Sequence, residues 1–252
     1  MVIKTIYMDL KEVSLKIPIV SSSRSFKENL FKNSIGGKIT IDGNKKTHIH
    51  ALDNLDLRIC AGDSVGLIGH NGSGKSTLLK IMAEIYSPNH GSYRYHGNIF
   101  SLLNLNLINL ELTGLENIYH VSHLCNIDKN KLEKNLDNII RACELGDYIN
   151  LPAKIYSSGM QTRLVTITIF YLITPDILLL DEGIFGPSDL IYRQKLYEYI
   201  NKVISKSKIL VIAMHNLELI KKLCNKLLIM HKGKIKYYGE MKKGLEIYNR
   251  KN

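Results

Sequence analysis

The stretch Gly69-His70-Asn71-Gly72-Ser73-Gly74-Lys75-Ser76-Thr77 constrains this chain more than any other. It fits G-x-x-x-x-G-K-[ST], the pattern of a phosphate-binding P-loop. Ser64 to Ile68 before it is a short apolar run that reads as a buried strand, and Leu78 to Ala83 after it reads as a helix. The motif needs that strand–loop–helix setting, because its anion site forms at a helix N-terminus, where backbone N–H groups and the helix dipole converge. Gly69, Gly72 and Gly74 permit a tight turn that aims successive amides at phosphate oxygens. In such a loop Lys75 reaches the β- and γ-phosphates and the Ser76 hydroxyl ligates Mg²⁺. The chain reads as a binder of a nucleoside triphosphate.

Composition narrows the setting. A chain of 252 residues with 45% hydrophobic and 23% charged residues has the balance of a soluble globular protein with a full core. Its longest apolar run, near Leu164 to Thr174, is too short to span a bilayer and is followed by Pro175 and Asp176. The first residues carry Asp9 and Glu12 and no cleavable signal pattern, so a cytosolic protein able to dock on a membrane is expected. The net charge of +11 comes largely from dispersed lysines, which points to compositional bias rather than a polyanion site, and nucleic acid is not an expected partner. Cys60, Cys125, Cys143 and Cys224 include no CxxC pair and read as reduced thiols. His120, His123 and Cys125 lack an evident fourth metal ligand and read as incidental to a helix face.

In order, Tyr7 to Ile17 alternates as an early strand, and Ser21 to Lys46 reads as a polar, turn-rich insertion. Leu52 to Ile59 is a second strand leading to the P-loop strand, and Ser92 to Leu103 reads as two short strands about Gly97. Leu112 to Leu151 is helical, with Asp128 as an N-cap. Ile177-Leu178-Leu179-Leu180 ends in Asp181-Glu182, and Ile209 to Ala213 ends in Met214-His215. Short apolar runs alternating with helices imply a parallel, doubly wound sheet. Lys226 to Tyr238 reads as a hairpin turning at Lys232-Gly233, followed by a short basic helix.

Asp181 ends its apolar run as a Walker B acid does, where it holds the Mg²⁺ shell, and Glu182 follows as the candidate general base. Tyr156-Ser157-Ser158-Gly159-Met160-Gln161 opens a helix about twenty residues earlier. With that segment the chain resembles the ATP-binding-cassette (ABC) ATPases, whose signature is usually Leu-Ser-Gly-Gly-Gln. Ser157, Ser158, Gly159 and Met160 then correspond to the helix N-terminus that faces the γ-phosphate bound by a partner subunit, and His215 to the switch histidine. The resemblance is closer to the ATPase subunits of polysaccharide and O-antigen exporters and their capsule and teichoic-acid relatives. It is carried by Val13 to Ile19, Ser23-Arg24-Ser25, Ala51 to Asn54, Gly66 to Gly72, Glu111-Leu112-Thr113-Gly114, Glu116-Asn117-Ile118, Glu144 to Ile149 and Asp176 to Glu182.

The resemblance implies an α/β P-loop NTPase fold: a RecA-like parallel-sheet core, an antiparallel β region and an inserted helical subdomain at about residues 104–165. One cassette domain is expected over residues 1–252, with the insertion at 21–46 and no C-terminal carbohydrate-binding domain. It implies ATP and Mg²⁺ as ligands, a homodimer of ATPase subunits, two integral-membrane permease subunits, a lipid-linked polysaccharide substrate carried by the permease, and a peripheral place on the cytoplasmic face of the inner membrane. The position aligned with the family's adenine-stacking aromatic is Val20, with His48 or His50 as substitutes. The position of its Mg²⁺-contacting glutamine is about Asn104, and the loop at 183–189 is one residue longer than usual. A cassette for another substrate, a soluble cassette and a weakly hydrolysing regulator are the alternatives.

Overall fold

The computed structural model describes residues 6–19, 38–41, 47–103, 106–182 and 198–249. The strands are β1 (Tyr7–Ile19), β2 (Lys38–Ile41), β3 (Thr47–Cys60), β4 (Ser64–Ile68), β5 (His90–His96), β6 (Ile99–Leu102), β7 (Ile177–Leu180), β8 (Ile209–Ala213), β9 (Lys226–His231) and β10 (Lys234–Glu240). The labelled helices are α1 (Lys75–Met82), α2 (Gly114–Leu124), α3 (Lys129–Cys143), α4 (Ser158–Leu172), α5 (Leu217–Leu223) and α6 (Met241–Asn249). They fall into two compact units: one of residues 1–101, 177–180 and 208–252, the other of 102–176 and 181–207.

The first unit is built on two sheets. One is six-stranded, in the order β10-β9-β4-β8-β7-β6, with β4 parallel to β8 and β9, β7 parallel to β8, and β10 antiparallel to β9. Every residue of β7 and β8 is buried, which is why these strands are continuous apolar runs rather than alternating ones. The registers pair Leu180 with Ile212 and Leu67 with Ala213, so β4, β7 and β8 end at one edge of the sheet. At the start of β4, Asn225 accepts from the Ser64 amide at 2.9 Å and donates to the Gly62 carbonyl at 2.8 Å. Half-exposed Lys226 pairs with Asp63 at 2.8 Å. The Tyr238 hydroxyl also donates to Asp63, and burial, then that carboxylate, raise the phenol's pKa.

The other sheet is four-stranded, in the order β2-β3-β1-β5, and antiparallel in its three pairings. In β1 the buried positions switch from Met8 and Leu10 to Val13 and Leu15. The switch is made by a bulge: Glu12 has φ +52°, its amide donates to Asp56 at 2.9 Å, and the register against β3 shifts between Leu10 and Val13. The strand β2 lies within the segment expected to be a turn-rich insertion. It pairs with β3, which begins at Thr47, before the expected Leu52. The remainder of that segment, at 21–37 and 42–46, lies outside the described residues, as does Val20.

The second unit is helical. Thr113 and Glu116 form a reciprocal capping box on α2, and Asp128 caps α3 by accepting from the Lys131 amide at 3.0 Å. Buried Asn117 is fully engaged, donating to the carbonyls of Asn109, Leu112 and Thr113 and accepting from the Asn109 amide. The helix α4 is buried along most of its length, and the Thr166 and Thr168 hydroxyls are satisfied by carbonyls four residues back. Residue 165, the expected limit of the helical subdomain, falls inside α4, which continues to Leu172.

Candidate nucleotide and catalytic site

The P-loop sits where β4 leaves the parallel sheet, and its shape is dictated by backbone crowding. Gly69 has φ +152°, and a Cβ there would lie 2.4 Å from the Met230 carbonyl oxygen. Gly74, with φ +104°, caps α1, and a Cβ there would lie 2.9 Å from the Ala51 carbonyl oxygen. No side chain caps α1 and no acidic residue occupies its first turn, so its leading amides and positive dipole end are left for an anion. The Lys75 ammonium donates to the carbonyls of Gly69 at 2.8 Å and His70 at 3.3 Å, which folds the side chain back across the loop. Ser76 is exposed. Ser73 is fully buried, and its hydroxyl has no hydrogen-bond partner among the described residues. Glycine amides, an ammonium and an orphaned hydroxyl around one turn fit a polyphosphate.

The loop is braced by the β9–β10 hairpin. The Gly233 amide donates to the Ser73 carbonyl at 2.9 Å, and the Gly233 carbonyl accepts from the Asp53 amide at 2.9 Å. Lys234 pairs with Asp53 at 3.0 Å. Lys232-Gly233 was legible as a turn, but its role as a strut of the phosphate loop was not. Its hydrogen bonds join residues remote in sequence and carry no local pattern.

The other motif residues lie as follows. Asp181, half-buried, directly follows β7; its carboxylate accepts from the Glu182 amide at 2.8 Å, and its own amide donates to the Leu102 carbonyl at 3.3 Å. Glu182 is exposed. His215 is exposed two residues beyond β8, and Asn216 after it caps α5. Thus the P-loop, Asp181 and His215 each follow strands that end at the same sheet edge, where ligands of open α/β sheets bind. His48 and His50 lie in β3, opposite Pro18 and Lys16 of β1, and are half-buried. Asn104 and the loop at 183–189 lie outside the described residues. No helix among the described residues is long and apolar enough to cross a membrane.

In the second unit, Ser157 is the N-cap of α4, and its hydroxyl accepts from the Met160 amide at 3.2 Å. Ser157 and Ser158 are exposed, and Gly159 and Met160 are half-buried. Tyr156 is buried, its hydroxyl donating to the Tyr148 carbonyl, and a Cβ on Gly114 would collide with that hydroxyl at 2.3 Å. The tyrosine that stands where the usual signature has leucine is therefore a packing residue of the helical unit. Burial pushes the thiols of Cys143 and Cys224 up to about 12, which keeps both protonated and unreactive at neutral pH.

The family model described as "ABC transporter" matches residues 52–184. The O-antigen export system ATP-binding protein RfbE of Yersinia enterocolitica is 38% identical over 227 residues, covering 89% of this chain and 94% of its own. The teichoic acids export ATP-binding protein TagH of Staphylococcus epidermidis is 35% identical over 82% of this chain and 78% of its own. RfbB of Klebsiella pneumoniae, also an O-antigen export ATP-binding protein, is 30% identical over 79% and 80%. Among solved structures, an ATP-binding subunit of an ABC transporter matches with a TM-score of 0.70 at 19% identity, over 96% of this chain and 93% of its own. A dimeric ATP-binding cassette bound to ADP and Pi matches with a TM-score of 0.67 at 19% identity, over 93% and 98%.

Proposed function

The chain belongs to the ABC transporter family of ATPases, and from that premise we propose that it is the ATP-hydrolysing subunit of an exporter of a lipid-linked polysaccharide of the O-antigen, capsule or teichoic-acid type. The observation that carries this reading is the 38% identity to an O-antigen export subunit over 94% of that protein's length.

In this reading the loop amides, Lys75 and the buried Ser73 hydroxyl bind the ATP phosphates. Ser76 and Asp181 would hold Mg²⁺, directly or through water, and the ion would supply positive charge to offset that of the phosphates. Glu182 accepts a proton from the water that attacks the γ-phosphorus, and His215 holds the terminal phosphate in line. The α4 N-terminus of a second copy, at Ser157 to Met160, closes over the same phosphate with its amides and dipole. Two such chains work beneath a pair of membrane subunits at the cytoplasmic face of the membrane. Hydrolysis reopens the pair.

The test is a strain lacking this gene, with surface glycan and intracellular lipid-linked glycan measured side by side. Loss from the surface with accumulation inside is expected. An unchanged surface without accumulation would overturn the export reading.

A further inference from the structure

Beside the P-loop the first unit carries a cleft of about 380 Å³. That is within the range of small-molecule sites. Its floor is the buried end of β9, Ile229 and Met230, and α6 closes one wall with Ile247 and Tyr248. His70, from the P-loop, and His231, from the end of β9, stand edge to face with ring centroids 4.9 Å apart. Lys236 of β10 completes the lining, which includes no carboxylate among the described residues.

We propose that this cleft binds a small organic anion: a phosphate or carboxylate head carried on a compact apolar or aromatic body. Three features select that chemistry. Among the described residues, the polar side chains of the lining are an ammonium, two imidazoles and a phenol, all able to donate to an anionic head. The aliphatic floor and the aromatic faces reward a ring and give a bare inorganic ion nothing to bury. The volume accommodates a ring with its head group.

Gly69 links this cleft to the nucleotide seat. It lines the cleft, its carbonyl accepts the Lys75 ammonium, and it sits so close to the Met230 backbone of the cleft floor that an added Cβ would lie 2.4 Å from that carbonyl oxygen. An anion in the cleft therefore bears on the first residue of the phosphate loop, and its occupancy and ATP affinity are coupled in both directions. The inference goes beyond the export reading and does not depend on it.

The test is calorimetric titration of the full-length chain with phenyl phosphate, benzoate, inorganic phosphate and benzyl alcohol, each with and without a saturating non-hydrolysable ATP analogue. Phenyl phosphate is expected to bind with the nucleotide seat filled, and benzyl alcohol not to bind. Benzoate binding as well as phenyl phosphate would support a site for either anionic head. The double variant His231→Ala/Lys236→Ala should lose about tenfold or more in affinity. The single variant Lys236→Gln, at an exposed position, provides the same test if the double variant melts early. In Lys75→Ala, which disables the phosphate seat, binding in the cleft should persist; that arm keeps the inference separate from whether the chain uses ATP. Complete displacement by the ATP analogue would assign the anion to the P-loop and overturn the proposal. Full affinity in the cleft variants would overturn it as well, and inorganic phosphate binding as tightly as phenyl phosphate would remove the organic body from it.

Discussion

At the scale of single residues, two consecutive acids at the end of β7 have different surroundings. Asp181 is half-buried and turned back onto the chain, accepting the Glu182 amide, whereas Glu182 is exposed. This division suits an acid that holds a metal shell and one that takes up a proton. Glu182→Gln keeps the size of the side chain and removes its basicity, so ATP turnover should fall about 100-fold or more. ATP affinity, read by equilibrium titration, should stay within about threefold of the parent, because the P-loop contacts are untouched. Equal turnover in the parent and the variant would remove Glu182 from the base's role.

At the scale of elements, the β9–β10 turn is a component of the phosphate loop although it lies some 160 residues further along the chain. Gly233 has φ +76°, and a Cβ there would lie 2.8 Å from the Ala51 carbonyl oxygen, so Gly233→Ala must disturb the strut that its amide makes to Ser73. The expected result is a loss of about 1–3 kcal/mol in stability, accompanied by weaker ATP binding. Lys232→Ala, at an exposed neighbour, should leave both unchanged. A variant Gly233→Ala that melts earlier yet binds ATP normally would show that the turn supports the sheet and not the loop. Elements of this kind mark the limit of what the sequence made legible. The strands β7 and β8 were readable because full burial makes them unbroken apolar runs, β4 because it is buried beyond Ser64, and α3 because Asp128 announces its start. The strand β2 was hidden in a polar segment, since Lys38-Ile39-Thr40-Ile41 is too short to stand out and is fixed by pairing with β3. The brace and the anion cleft were hidden because both are made by residues brought together only when β9 lies beside β4.

At the scale of the molecule, two helix N-termini among the described residues have serine-and-glycine sequences, in different units: α1 after the P-loop and α4 after Tyr156. They are finished differently. The start of α1 has no side-chain cap, whereas Ser157 already satisfies the Met160 amide at the start of α4. A bare terminus suits the primary seat of a polyanion, and a capped, exposed one suits a surface that meets an anion already bound elsewhere. If the second arrives from another copy, ATP is the glue of the dimer, and slowing hydrolysis should trap it. In light scattering, Glu182→Gln with saturating ATP is expected to run as a dimer, and without ATP as a monomer. Adding Gly159→Asp places a carboxylate in the first turn of α4, where it repels a phosphate while leaving the P-loop of the same chain intact. The double variant should therefore bind ATP with unchanged affinity and remain monomeric. A dimer that survives Gly159→Asp would mean that the signature helix does not close on the nucleotide, and a Glu182→Gln chain that stays monomeric while saturated with ATP would mean that nucleotide alone does not join two copies.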